Sequence, residues 1–245
     1  IRDRRPISII KEEEIMVNVL KKEKNNTTVQ ASKLNDRLTF NKTVWIFFIS
    51  CEVGWLVETI WCFIRHGYIE SRQSLVYSHL SVAYGMGAVI LTLVLYKLKD
   101  AKLSAIFLTS YVAGTVTEYI CSLGQEILFG SVAWDYSNVP LNINGRVCLL
   151  YSLFWGVLGI FWIKVVYPLM SKLVDKIPVK FSKVFVGVFI VFFVCDCILS
   201  GAAAFRMDRR YAGIPANNAV SEYLDNHFDD ERMHKIYANS KDVIK

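Results

Sequence analysis

Four carboxylic acids stand inside apolar runs of this chain: Glu52, Glu58, Glu118 and Asp196. A charge at the centre of a bilayer costs roughly 2.5–3.5 kcal/mol on insertion scales, so such residues face a bundle interior or a water path. Glu118, Ser122, Gln125 and Glu126 recur at i, i+4, i+7 and i+8, which is one face of a helix, with Glu126 near its outer edge. Ser50, Gly54 and Glu58 share a face of an earlier helix, and Asp196 and Ser200 a face of a later one. Such a polar strip suits a solute or ion site, or a proton relay. The plainer alternative is structural, with protonated or hydrogen-bonded acids joining helices.

A second candidate lies between two of these helices. It reads Trp134-Asp135-Tyr136-Ser137, then Pro140, then Asn142-Ile143-Asn144-Gly145-Arg146. Arg146 opens the next helix, and Asn144 is a candidate cap for it. Asp135 is the only acid between Glu126 and Arg146, so it is the expected partner of that arginine. Trp134, Asp135, Tyr136, Asn144 and Arg146 then form either a structural clamp or an outer gate that recognises an anion.

Long helices must carry these groups. Five apolar runs of spanning character are expected at Thr43–Ile64, Leu80–Leu98, Leu103–Leu123 (continuing towards Phe129), Leu149–Met170 and Val184–Phe205. The chain is 245 residues long and 53% hydrophobic, with a mean hydropathy of +0.34. The expected organisation is a polar segment at 1–42, a transmembrane helical domain at 43–205 and a polar tail at 206–245. The fold class is therefore all-α: a polytopic membrane bundle with a short amphipathic helix in the tail. Leu224, Phe228, Met233, Ile236 and Tyr237 would line its face, with Asp229 as cap. Small-residue faces (Ser81, Gly85, Ala88 and Thr92; Ser152, Gly156 and Gly159; Ser50 and Gly54) should let helix backbones approach closely. Near the first end, Ile7–Leu20 has some helical periodicity and Asn26-Thr27-Thr28 is a sequon. Residues 1–42 hold no uninterrupted apolar stretch, so the first span is expected to act as the targeting signal.

The net charge of +6 reads as topology and headgroup contact, since Lys and Arg crowd cytoplasmic loops. With the first end inside, ten basic residues flank the inner ends (for example Lys97, Lys99 and Lys102) against six on the outer ends (for example Arg65, Arg146 and Arg206). Lys164 should snorkel to the inner headgroups. Tyr151, Trp155 and Trp162 read as packing or interface anchors, and His79 as an interfacial histidine. The six cysteines lie in or beside apolar runs, form no CxxC pair, and are expected to stay reduced. No basic stripe interleaved with aromatics suggests nucleic acid, and no Cys/His spacing suggests a metal.

The motifs Gly54-Trp55-Leu56-Val57-Glu58, Glu118-Tyr119, Gln125-Glu126, the stretch from Trp134 to Arg146, Leu150 through Gly156, Arg206-Met207-Asp208-Arg209 and Asp230-Glu231-Arg232-Met233 together resemble the ABC-transporter type IV (CmpB-like) membrane family over about residues 43–240. The resemblance implies a permease or substrate-capture subunit in the plasma membrane, by expectation a bacterial one. It also implies a Gly-rich, Pro-containing run between the first two helices. Here Ser74, Ser78 and His79 stand at those positions, so this copy is expected to differ in specificity or to be impaired.

No G-x-x-x-x-G-K-[ST] phosphate loop, nucleophile elbow or H-E-x-x-H motif is present. Any ATP hydrolysis must then come from a separate ATPase or energy-coupling subunit. The expected partners are the lipid bilayer and that subunit, with a homo-oligomer compatible and no cofactor called for. Two other readings stay open: a noncatalytic membrane scaffold or regulator, and a small intramembrane enzyme using its acids.

Overall fold

The computed structural model describes residues 37–129, 131–132, 134–238 and 241–242. The Ile7–Leu20 periodicity and the Asn26 sequon fall outside the described residues.

Five apolar helices occur where the hydropathy places them. Four are long and apolar enough to cross a membrane: α1 (Phe40–His66), α3 (Leu103–Phe129), α4 (Leu149–Val174) and α5 (Val179–Tyr211). The remaining one, α2 (Val82–Leu95), is extended by a 3-10 turn over Tyr96–Leu98. Together these reach about 27 Å, just short of a ~30 Å hydrocarbon core. The shortfall has a cause. Leu80 and Ser81 were expected to be helical, but Ser81 is extended, with φ −89° and ψ 90°. The chain from Ser71 to Ser81 instead runs without helix.

Two kinds of seam hold the helices together. The first is made of small residues. A Cβ on Gly156 or Gly159 of α4 would overlap Phe107 or Ser110 of α3, and one on Gly85 of α2 would overlap Cys51 of α1. These contacts bring backbones together where apolar lipid gives helices little hydrophobic reason to associate. The second seam, between α1 and α5, is aromatic. Phe185, Phe189 and Phe193 stack at i, i+4 spacing, with centroids 5.8 Å apart in each pair, and Trp45 stacks on Phe185 at 4.0 Å.

The end at which α1 begins is closed by polar contacts. Lys42 Nζ reaches Asp175 at 2.9 Å and donates to Ser171 Oγ at 3.0 Å, while Trp45 Nε1 donates to Ser182 Oγ at 3.0 Å. Lys164 does reach polar groups at this end, donating to the Lys99 carbonyl at 2.5 Å. Within α4, Trp162–Val166 is a π turn. Pro168 has no N–H, so it cannot complete the ladder to Lys164, and the Tyr167 amide donates to the Trp162 carbonyl instead. Trp162 Nε1 then donates to Thr92 Oγ1 at 2.9 Å, tying α4 to α2.

The tail forms two short helices rather than one: α6 (Ala219–His227) and α7 (Asp230–Ile236). Asn218 and Ser221 make a reciprocal capping box on α6, and Asp229 caps α7 as expected, which forces the break at Phe228. Leu224, Phe228, Met233 and Ile236 are buried against Val76 and Ala203, with Tyr237 packed beside them. Four short strands complete the described chain: β1 (Ser131–Val132) pairs with β4 (Lys241–Asp242), and β2 (Asn142–Ile143) with β3 (Val147–Cys148), both antiparallel.

Arg206, 5% exposed, anchors the tail by gripping Asp225 through two bonds of 2.9 and 2.8 Å. Arg210 bridges Asp225 to Asp230. Hydrogen bonds from Arg206, with Arg210 adding to them, hold the Asp225 carboxyl down at about 2. A depressed carboxyl contributes stability above its unfolded value and loses it as pH falls through the folded value. The thermal midpoint should therefore drop between about pH 4 and pH 2. Asp225→Asn should start lower and lose less over that window. Equal slopes for the two proteins would contradict this role for Asp225.

Candidate functional site

α3 carries the acids of the site. Glu118, 9% exposed, accepts from Tyr136 Oη at 2.9 Å and from Trp155 Nε1 at 3.0 Å. Its two donors come from different elements, one from the loop between α3 and α4 and one from α4 itself. Trp155 is set by missing side chains around it: Gly114 of α3 and Gly87 of α2 leave the space the indole fills. Tyr136 lies flat on Tyr151, with centroids 4.6 Å apart. Burial and the facing Glu118 carboxylate push the Tyr136 hydroxyl well above its ordinary value, so it stays a donor.

One turn beyond Glu118, Ser122 Oγ lies 3.4 Å from the Arg146 guanidinium, and Glu126 forms an ion pair with it. The Arg146 guanidinium also lies over the Tyr119 ring at 5.8 Å. The carboxylate that holds Arg146 is therefore Glu126's, not the expected Asp135's. Asp135 turns back on its own loop and accepts from the Ser137 amide and hydroxyl at 2.9 and 2.6 Å. A short polar side chain makes such a turn locally, without crossing to another element.

The loop is a hairpin, and this corrects the expectation for Asn144. Cys148 occupies the N-cap position of α4 and makes no side-chain cap bond. Asn144 and Gly145 both have left-handed backbone, φ 53° and 67°, in the turn between β2 and β3. Asn-Gly is a strong sequence signal for such a turn, and it outranks a capping role. Gly145 serves twice, because a Cβ there would also run into Ser137 and Asp135. The Asn144 amide then reaches Tyr119 Oη at 2.9 Å, and Trp134 Nε1 donates to the Arg146 carbonyl at 3.0 Å. The hairpin is thus tied to α3 at Glu118, Tyr119, Ser122 and Glu126.

Two of the other expected acids, Glu58 and Asp196, have partners of their own. Glu58 of α1 accepts from Tyr84 Oη of α2 at 2.7 Å. Asp196, 2% exposed in α5, accepts from the amides of Tyr77 and Ser78 at 3.2 and 3.0 Å. His79 lies against Trp55, with centroids 4.9 Å apart. Tyr84 was missed in the sequence because a tyrosine in an apolar helix has no distinguishing pattern. Among the described residues, no group of three or more His, Cys, Asp or Glu could hold a metal ion.

Helices of this length and composition, with partnered acids between them, define a multi-pass α-helical membrane protein. The family model described as "Putative ABC-transporter type IV" matches residues 45–201. The chain belongs to that family. No curated protein and no solved structure matches it.

The corrected pairing is testable. The Arg146 side chain is 14% exposed and that of Glu126 34%, so breaking the pair should cost less than a fully buried one, about 1–2 kcal/mol. Glu126→Gln and Arg146→Gln should each lower the thermal midpoint in detergent. The double variant should fall short of their sum, whereas Asp135→Asn combined with Arg146→Gln should be additive. The reverse pattern would restore Asp135 as the partner.

Proposed function

We propose that this chain is the membrane subunit of a transporter, acting as a permease or substrate-capture component in the plasma membrane and drawing on an ATPase carried by another chain. One observation supports this most: Glu118, a carboxylate within a spanning helix, is covered by a hydroxyl from the hairpin. Lifting the hairpin would free the Glu118 oxygen that Tyr136 holds and leave the bond from Trp155 of α4 in place. Membrane-embedded acids that face a bundle interior mark solute, ion or proton paths.

A second reading, the noncatalytic scaffold, draws on a different observation. Glu58, Glu118, Glu126 and Asp196 all accept hydrogen bonds from the protein itself, which is how structural acids behave.

The experiment separating them is purification of the full chain with its associated proteins into proteoliposomes, followed by ATP hydrolysis with and without Glu118→Gln. The transport reading expects ATPase activity in the purified assembly and at least a several-fold loss of it in the variant. An assembly without ATPase activity, or one indifferent to Glu118, would favour the scaffold.

A further inference from the structure

The unwound segment before α2 holds a second site. Backbone without helix or sheet partners is tolerated at membrane depth only where protein or trapped water satisfies it. Here three consecutive amides point at α5. Val76 N–H donates to Ser200 Oγ at 2.9 Å, Tyr77 N–H to Asp196 Oδ1 at 3.2 Å and Ser78 N–H to Asp196 Oδ2 at 3.0 Å. The last two converge on one carboxylate and take an oxygen each, and successive amides that converge in this way form a concavity that binds anions.

Two further features mark the spot. Ser78 Oγ is shielded from solvent and has no hydrogen-bond partner among the described residues, so this segment carries a donor that Asp196 does not use. The tail covers it: Phe228 lies 5.8 Å from the Tyr77 ring, and the Tyr237 hydroxyl lies beside Ser200. The site therefore has a backbone cradle, a spare hydroxyl and a cover.

We propose that the Tyr77 and Ser78 amides and Ser78 Oγ are the binding site for a small oxyanion, a carboxylate or phosphate group, and that Asp196 is the chain's own occupant when no such ligand is bound. In the transport reading the oxyanion belongs to the solute, and Asp196 withdraws as it enters. The anion site itself rests only on the geometry above.

Chemical rescue tests it. Asp196→Ala empties the cradle and should lower the thermal midpoint of the full chain in detergent. Sodium formate should restore much of that loss saturably, as expected for a ligand that binds only the folded state. Equal sodium chloride should not, and Glu58→Ala should gain nothing from formate. Formate acting no better than chloride, or equally on both variants, would overturn the proposal.

Should Asp196→Ala fail to fold, the unmodified chain offers a second readout. Trp55 lies against His79, next to Ser78, with the rings tilted by 45°. Inorganic phosphate should change the part of the fluorescence that Trp55→Phe removes, and it should do so saturably. A flat response there would also overturn the site. Rescue without coupled ATP hydrolysis would keep the anion site and sink the transport reading.

Discussion

Gly114→Ala should be among the most damaging single-methyl additions to this chain. The new Cβ would lie 2.6 Å from the Cβ of Trp155. That atom moves only with the backbone of α4, so the indole cannot swing aside and α3 and α4 must separate. Overpacking typically costs about 1–3 kcal/mol, and a seam that relies on close backbone approach should fall at the upper end. The separation would also pull Trp155 Nε1 away from Glu118, which would then keep only Tyr136 of the two donors described. Thermal unfolding in detergent should show the loss. Trp155→Gly in the same chain should recover part of the stability, because it removes the Cβ together with the ring, but not the contact to Glu118. A Gly114→Ala protein as stable as the parent would mean that the α3–α4 seam yields where the structure has it tight.

Lys42→Met should have a comparable effect at the opposite end of the bundle. Lys42 is 3% exposed, and its ammonium bridges Asp175 and Ser171. Removing it leaves the Asp175 carboxylate without that cation at the junction of α1 and α4. Breaking a buried pair costs about 3–5 kcal/mol, and the 26% exposure of Asp175 moves the expectation to about 3 kcal/mol. Lys42→Met with Asp175→Leu should recover much of it, since removing both charges also removes the desolvation they suffered. If the double variant is no more stable than Lys42→Met, the pair is not what secures this end.

What could be read from residues alone follows from which interactions are local. The apolar runs, the small faces of α2 and α4, the shared face of Asp196 and Ser200 and the Asp229 cap are all set by spacing along one helix. Each reappears in the structure. The partners of the acids are contacts between elements, and spacing does not encode those. Tyr84, Tyr136 and Trp155 find Glu58 and Glu118 only once helices have packed. Asn144 carried two local signals, a cap and an Asn-Gly turn, and the hairpin won because β2 and β3 pair across it. The Leu80 start of α2 was lost because the Leu80 carbonyl accepts from the Ser74 amide and the Ser81 amide donates to the Cys51 carbonyl of α1, contacts that spacing along one helix does not encode. Lys42 looked like an ordinary flanking charge, and nothing in its neighbourhood in sequence announces Asp175.

The proposed transport role depends above all on the cover that the hairpin, through Tyr136, gives Glu118. Modification by a water-soluble carbodiimide with glycine ethyl ester, read by mass spectrometry on the intact chain in proteoliposomes, measures this directly. Tyr136→Phe removes only the hydroxyl that donates to Glu118 and keeps a ring to stack on Tyr151. Glu118 should label slowly in the unmodified chain and several-fold faster in Tyr136→Phe, with the exposed Glu222 unchanged. Equal rates at Glu118 in the two proteins, or a rate in the unmodified chain matching that of Glu222, would contradict that cover.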